Sequence, residues 1–314
     1  MSECLICGSD RFATLFRSSD RLYHTTHKEF AVVRCGACGL VRLDPQPKAE
    51  ELRDYYPGTY WFAPEESAAS RLEETYRRLV LRDHVHFVEQ ALRHSRDRGP
   101  LLDVGCGGGL FLGMMRERGF GVVGLDFAPE AARVTWHRQQ APAVCGHLNQ
   151  SPLRAQAFAC ITMFHLLEHL PDPGEFLRAA HHLLREDGRL VVQVPNAASW
   201  QFRLLGRTWN GVDVPRHLFD FRDLDLEKLL AASGFAVVRR KYFSLRDNPA
   251  GLASSLAPVL DPMARRIRGT PENGTARLVK DLVYFGIVLA ALPFTVAEAA
   301  CRAGSTVMIE ARKQ

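Results

Sequence analysis

The sequence predicts an α/β fold carrying a small cysteine-bound module at its N-terminal side. The first observation is "LLDVGCGGGLFLGMMRERGFGVVGLD" at 101–126, which reads as strand, glycine turn, helix and second strand. The second is a pair of C-x-x-C-G knuckles, "CLICG" and "CGACG", in the first forty residues. The third is "FACITMFHLLEHLPDPGEFLRAAHHLLREDGRLVVQVPN" at 158–196, which repeats strand, turn, helix, strand. Alternation of this kind builds an open parallel sheet whose ligand lies at the carboxyl ends of the strands.

The bulk composition agrees with a globular enzyme-sized chain. With 46% hydrophobic and 24% charged residues over 314 positions, it has enough apolar surface for a large core and is no candidate for disorder. A net charge of +5 spread over that length does not amount to a nucleic-acid groove. The opening residues, MSECLICGSD, lack the basic and apolar regions of a signal peptide, and a cytoplasmic protein is expected.

Cys4, Cys7, Cys35 and Cys38 form the one patterned group among eight cysteines. Two thiolates separated by two residues can grip one Zn²⁺, and a following glycine lets the backbone turn tightly. Two such knuckles complete a tetrahedral site. A redox dithiol would need one pair only, and disulfides are disfavoured in a reducing cytosol. Four thiolate ligands leave no open position for water, so the expected zinc is structural. The stretch 1–48 is the expected zinc-ribbon-like module and 49–98 a linker with a helix at "SRLEETYRRLVLRDHVHFVEQALRHS". Within the linker, "DYYPGTYWF" at 54–62 suggests a lid or inter-module packing.

In the glycine segment the pattern is D-x-G-x-G-x-G rather than G-x-G-x-x-G, because position 110 is Leu. Asp103 at the strand end is poor company for a pyrophosphate and suits the ammonium of an aminoacyl tail. Asp126, one βα unit later, can accept hydrogen bonds from both hydroxyls of a ribose.

With these residues the chain resembles the class I S-adenosylmethionine-dependent methyltransferases, whose glycine motif and ribose acid match "LDVGCGGG" and "VVGLDFAPEA". The likeness covers about 100–240 and returns at the C-terminal strand. It implies a Rossmann-like seven-stranded sheet with helices on both faces over 99–314. It also implies S-adenosyl-L-methionine as cofactor, held by Asp103, Gly105, Cys106, Gly107 and Gly109 on the methionine side and by Asp126 and Phe127 at the nucleoside. His147, Leu148, Phe164 and His165 complete the implied cofactor set. After the third strand many relatives show Gly-Asp, whereas this chain reads Gly146-His147-Leu148.

"HLLEH" at 165–169 also spells the zinc-peptidase pattern H-x-x-E-H. Such a site needs its histidines a turn apart on a sustained helix, and Pro171 and Pro173 stop any helix there. The segment instead resembles the E-H-x-x-D-P turn after the fourth strand of methyltransferases.

Between 195 and 222 an aromatic and polar run without periodicity follows the fifth strand and is the expected substrate wall. "PRHLFDF" resembles the H-L-x-x-F segment of small-molecule methyltransferases. Methyl transfer is mainly an alignment problem, and a base is needed only where the nucleophile must lose a proton. His165 and His217 are the candidate catalytic residues by side-chain chemistry.

A core fold of this class would pass from its sixth strand, "FAVVRRKYF", to its seventh, "STVMIEARK", almost directly. Here a helical insertion at 244–303 intervenes. Residues 282–297 carry no charge, but the run is short for a spanning helix and Pro293 is expected to interrupt it. Beside "ARRIR" it reads as a helix either packed on its own domain or apposed to a membrane, with peripheral contact through 251–300 at the inner face. The expected acceptor is a small molecule or lipid-linked compound methylated at oxygen. The alternative enzyme is an RNA methyltransferase, since zinc modules accompany such domains there too; against it stands "MFHLLEH" in place of the [N/D]-P-P-[Y/F] box, and a scaffold that binds the cofactor without catalysis is the non-enzymatic alternative.

Overall fold

The protein is described by a computed structural model covering residues 3–56, 68–94, 99–269 and 271–314. The expected lid at 54–62 lies mostly outside the described residues, from position 57 onward.

The chain begins with three antiparallel strands, β1 (Phe12–Ser18), β2 (Phe30–Cys35) and β3 (Val41–Asp44). The single-turn helix α1 (Ala49–Asp54) follows. The linker helix expected as one piece is two, α2 (Ala68–Val80) and α3 (Arg82–His94), broken only at Leu81. The break is slight, because Leu81 still donates to Arg77 and Val85 to Leu81.

The alternating part then runs β4 (Leu101–Val104), α4 (Leu110–Arg116), β5 (Val122–Asp126), α5 (Pro129–Gln139) and β6 (Ala143–Cys145). It continues with β7 (Phe158–Phe164), α6 (Pro173–Leu183) and β8 (Leu184–Pro195). Pro173 opens α6 at the first helical position, where its missing N–H costs nothing, and Asp172 caps it by accepting from the Glu175 amide. After β8 come α7 (Trp200–Leu205), the two-residue strand β9 (Phe219–Asp220), α8 (Asp223–Ala232) and β10 (Phe235–Lys241). The insertion contains α9 (Asn248–Leu256), α10 (Pro262–Ile267) and α11 (Gly274–Ala300), and β11 (Thr306–Lys313) closes the sheet.

Seven strands form one sheet in the order β10, β11, β8, β7, β4, β5, β6. β4, β5, β6, β7 and β8 pair in parallel, while β10 and β11 are antiparallel. Parallel strands buried on both faces read as continuous apolar runs, and β4 and β7 do so, with "LLDV" wholly buried. Leu101, Phe111, Leu112, Met115, Cys160 and Val191 belong to the core that α3 and α4 share with this sheet.

By contacts the chain divides into two compact units, each assembled from three stretches. One comprises Met1–Tyr60, Pro195–Leu226 and Asp247–Val307, and the other Trp61–Val194, Glu227–Arg246 and Met308–Gln314. In the first unit β9 adds a fourth strand to the N-terminal sheet, pairing Val41 with Asp220 and Arg42 with Phe219.

Helix α11 departs from expectation. Pro293 lies inside it without ending it, and the helix runs for 27 residues in all, Gly274–Ala300. By length and composition alone it could cross a membrane, with 22% of its apolar window buried. Its covered side packs on α9, where Tyr284 Oη meets Ser254 Oγ at 2.8 Å and the Ala250 carbonyl at 3.2 Å. Glu298 lies fully buried on that helix and accepts from Gln201 Nε2 at 2.7 Å.

Candidate functional site

In the unit that carries the seven-stranded sheet the glycine turn leaves β4 with three left-handed residues, Gly105 at φ +77°, Gly107 at +53° and Gly109 at +71°. Side chains would be strained at each, and at Gly109 a Cβ would also lie 2.7 Å from the Thr135 side chain. Asp126, at the end of the adjacent strand, fastens this turn. Its Oδ2 accepts from the Gly107 amide and its Oδ1 from the Ala128 amide, each at 2.9 Å. Each carboxylate oxygen keeps a second lone pair, the acceptors a vicinal diol would need.

Asp103 stands opposite Thr162 in the β4/β7 register and accepts from its hydroxyl at 2.6 Å. Burial pushes its carboxyl up to about 7, the Thr162 hydroxyl works against this and the Asp126 charge adds to it. Burial also pushes Asp126 up, against the pull of the backbone amides. Among the described residues no cation offsets these two buried acids beside a cradle of backbone, and a cationic ligand would relieve them. Cys106 contributes backbone rather than chemistry, since burial drives its thiol up to about 12.

The remaining expected cofactor residues sit at the same carboxyl edge. Phe127, half exposed, lies nearly parallel to the His147 ring, 10° between planes and 6.3 Å between centroids. Leu148 is buried in the single 3-10 turn that follows. Phe164, at the end of β7, meets His84 and Phe111 edge to face at 5.1 Å.

His165 follows in the left-handed region at φ +52°, its amide bound to the Gln193 carbonyl at 2.8 Å. Both ring nitrogens are engaged. Gln193 Nε2 lies 2.8 Å from Nε2 and can only donate, so Nδ1 carries the proton that faces the buried Glu168 carboxylate at 3.3 Å. Glu168 and His169 occupy one 3-10 turn, Leu167–His169, and no sustained helix carries His165 and His169 together. That geometry is not a peptidase motif.

The other unit holds His217, which is 7% exposed. Its Nδ1 donates to the Gly211 carbonyl at 2.8 Å, since a carbonyl can only accept, and the lone pair therefore sits on Nε2.

The four N-terminal cysteines of the same unit converge, with all Sγ atoms within 4.8 Å of one another. Cys4 and Cys38 lie 3.5 Å apart and Cys7 and Cys35 3.6 Å. Sulfurs around a tetrahedral Zn²⁺ at ~2.3 Å would be separated by ~3.8 Å, so the donor set fits that ion. Both knuckles close alike: Gly8 donates to the Cys4 carbonyl and Gly39 to the Cys35 carbonyl, each at 2.9 Å and each with positive φ. The sulfurs share charge unevenly without a metal: against burial, the Cys38 and Ala37 amides pull the Cys35 thiol down to about 6, while burial pushes Cys38 up to about 12 and raises Cys4. Arg222 braces the second knuckle by donating to the Cys38 carbonyl while its guanidinium grips Asp225 at 2.7 Å and 2.9 Å.

Sequence reasoning missed the supports: Thr162 behind Asp103, Gln193 and Glu168 around His165, and Arg222 behind Cys38. It also missed Arg216, fully buried between Asp20 and Asp213 with contacts of 2.7–3.2 Å and its guanidinium over the Tyr23 ring at 4.4 Å. Burial raises the Asp20 carboxyl, but the Arg216 hydrogen bonds and charge outweigh it and hold that acid well below the usual range. Only strand pairing and chain crossing reveal these partners.

Comparison with known proteins gives the family. The profile of a methyltransferase domain family matches residues 72–240. A ubiquinone biosynthesis O-methyltransferase of Pseudomonas paraeruginosa is 31% identical over 130 residues, covering 39% of this chain and 56% of that protein. One of the same description from Xylella fastidiosa is 32% identical over 143 residues, covering 42% and 57%. The chain thus spans just over half the length of the curated relatives it matches. Among solved structures, that of a candidate sarcosine dimethylglycine methyltransferase from Galdieria sulphuraria superposes with a TM-score of 0.51 at 13% identity, over 84% of this chain and 98% of that one, a likeness of fold.

Proposed function

We propose, starting from the fact that this chain belongs to the methyltransferase domain family, that it transfers a methyl group from S-adenosylmethionine to an oxygen of a small-molecule or lipid-linked acceptor. The observation that carries the proposal is the Asp103, glycine turn and Asp126 constellation at the carboxyl ends of two neighbouring parallel strands. S-adenosylmethionine, when bound, supplies an electrophilic methyl on a sulfonium.

The chain's residues then have these roles. Asp103 faces the ammonium of the cofactor, Gly105, Cys106, Gly107 and Gly109 offer backbone, Asp126 accepts from the ribose, and Phe127, His147, Leu148 and Phe164 border the base. His165, with both nitrogens engaged, shapes the turn. His217, whose Nδ1 is given to the Gly211 carbonyl, is assigned as the base toward the acceptor hydroxyl, which would make oxygen a competent nucleophile. Residues 1–48 hold one structural Zn²⁺ through Cys4, Cys7, Cys35 and Cys38, 49–98 link it, and 99–314 carry the transferase.

The relatives named for ubiquinone biosynthesis O-methylation support an acceptor of lipid character. So does the outward side of α11, where Leu278, Leu282, Phe285, Leu289 and Val296 stand 44–61% exposed along one stripe at helical spacing. Such a stripe suits peripheral contact with a membrane, near Arg277 at the start of the helix and Arg302 beyond its end. The test is incubation with S-adenosylmethionine and a membrane extract. S-adenosylhomocysteine forming in step with a methylated lipid-extractable product supports the proposal; none forming while the cofactor binds would refute it.

A further inference from the structure

Behind the first acid of the cradle lies a hydroxyl with two acceptors in reach. Thr162, wholly buried on β7, donates to Asp103 Oδ1 at 2.6 Å and has the Leu102 carbonyl at 3.4 Å. Both acceptors belong to β4, with which β7 pairs in parallel, so the strand ladder itself holds these groups together. Among the described residues no hydrogen bond reaches Asp103 Oδ2, the oxygen left for a ligand.

A hydroxyl has one proton to give and two lone pairs, and an O–H···O contact this short lies in the charge-assisted range. With Asp103 ionised, the Thr162 proton points at Oδ1. With Asp103 protonated, Oδ1–H donates to Thr162 Oγ1, and the hydroxyl proton turns to the Leu102 carbonyl. Neither state strands the buried hydroxyl or Oδ1, but the ionised state has the stronger bond because its acceptor carries charge. A valine of the same shape would leave Oδ1 bare, and burial would then favour the neutral acid.

The other groups around Asp103 give the ionised form no such help. β5 brings Asp126, whose charge opposes it. The glycine turn brings Cys106 and β7 brings Cys160, both pushed up by burial and so neutral thiols. On α3 the buried ionisable ring is His84, bound to Asp83 at 2.7 Å, and on α4 the ionisable side chain is the exposed Arg116 at its far end.

We propose that Thr162 is a positioning residue of the cofactor site: its hydroxyl pins one oxygen of Asp103, keeps that acid ionisable inside the core and leaves the other oxygen to meet the ammonium of the aminoacyl tail. This deepens the function proposed above and rests on it for the identity of the ligand. The hold of the hydroxyl on the acid is readable with no ligand present.

Two measurements on full-length Thr162→Val and Thr162→Ser test it. Carbon-13 NMR titration of the Asp103 carboxyl in ligand-free protein, its signal assigned by loss in Asp103→Asn, should give a midpoint about one pH unit higher in Thr162→Val. Thr162→Ser, which restores the hydroxyl, should leave the midpoint near that of wild type. Calorimetry with S-adenosylhomocysteine, which carries the same aminoacyl tail, should find Thr162→Val about tenfold weaker than wild type at about pH 6 and nearly equal to it at about pH 9. The ligand's own titration cancels in that ratio. An unmoved midpoint, or a loss of affinity equal at both pH values, would overturn the proposal, since a purely structural residue weakens binding without regard to pH. A midpoint that moves as expected in protein that binds no S-adenosylhomocysteine would leave the hold on Asp103 standing and strike down the transferase assignment instead.

Discussion

The carboxylate of Asp126 holds the amide of Gly107 at 2.9 Å, so the residue assigned to the ribose also fixes the turn that approaches the methionine. Asp126→Ala should therefore act twice, and its loss of S-adenosylmethionine affinity should exceed the roughly tenfold expected of one charge-assisted hydrogen bond. Calorimetry measures it. An affinity within a factor of two of wild type would remove Asp126 from the site.

The glycines separate backbone strain from steric conflict. A Cβ at Gly107 meets nothing within 4 Å, so Gly107→Ala should cost only the left-handed penalty, about 1–2 kcal/mol. Gly109→Ala adds the collision with Thr135 and should be the less stable variant by denaturant unfolding.

Asp103 predicts a pH dependence. Its carboxyl titrates near 7 in the ligand-free protein, raised by burial, so the folded state holds a proton there that the unfolded state has released between about pH 4 and 7. The stability this contributes is present at low pH and is lost as pH rises through about 7. A ligand ammonium needs the ionised form, so cofactor affinity should climb as pH rises through that value and then level off. Asp103→Asn should flatten the profile; an unchanged slope would assign the titration elsewhere.

The cysteine cluster predicts one zinc per chain by elemental analysis. Cys35→Ser should remove the metal and lower the melting temperature by several degrees, because binding energy at such a site is folding energy. Metal well below one equivalent in protein prepared without chelator would contradict the structural site.

The two histidines should behave differently. His217→Ala should lower turnover by about 10²–10⁴-fold if it removes the acceptor's base, with little change in cofactor affinity. His165→Ala should disturb the turn built on Gln193 and Glu168, and so weaken cofactor binding before it affects chemistry. The reverse pattern would exchange their roles.

Much of this was legible because local chemistry dictates local form. Glycine at C-x-x-C-G and at D-x-G-x-G-x-G announces positive φ whatever the surroundings, and the apolar runs of β4 and β7 identify buried strands. What was not legible depends on distant pairing. Phe219–Asp220 has no strand signal in two residues, and it is β3 that makes it one. Arg216 looks like a surface residue until Asp20, 196 positions away, closes on it. Pro293 was expected to interrupt α11 because its missing N–H breaks one rung of hydrogen bonding, yet the helix carries through it while packed along α9.

The pairing of β3 with β9 sets a timetable for biosynthesis. Val41 leaves the ribosome 179 residues before its partner Asp220, a delay of roughly 10–35 s at ordinary elongation rates. Throughout that interval the metal knuckles can close while one flank of their sheet stays bare, inviting a neighbouring nascent chain to pair with it. Excising the cysteine segment as a portable cassette would make that temporary hazard permanent.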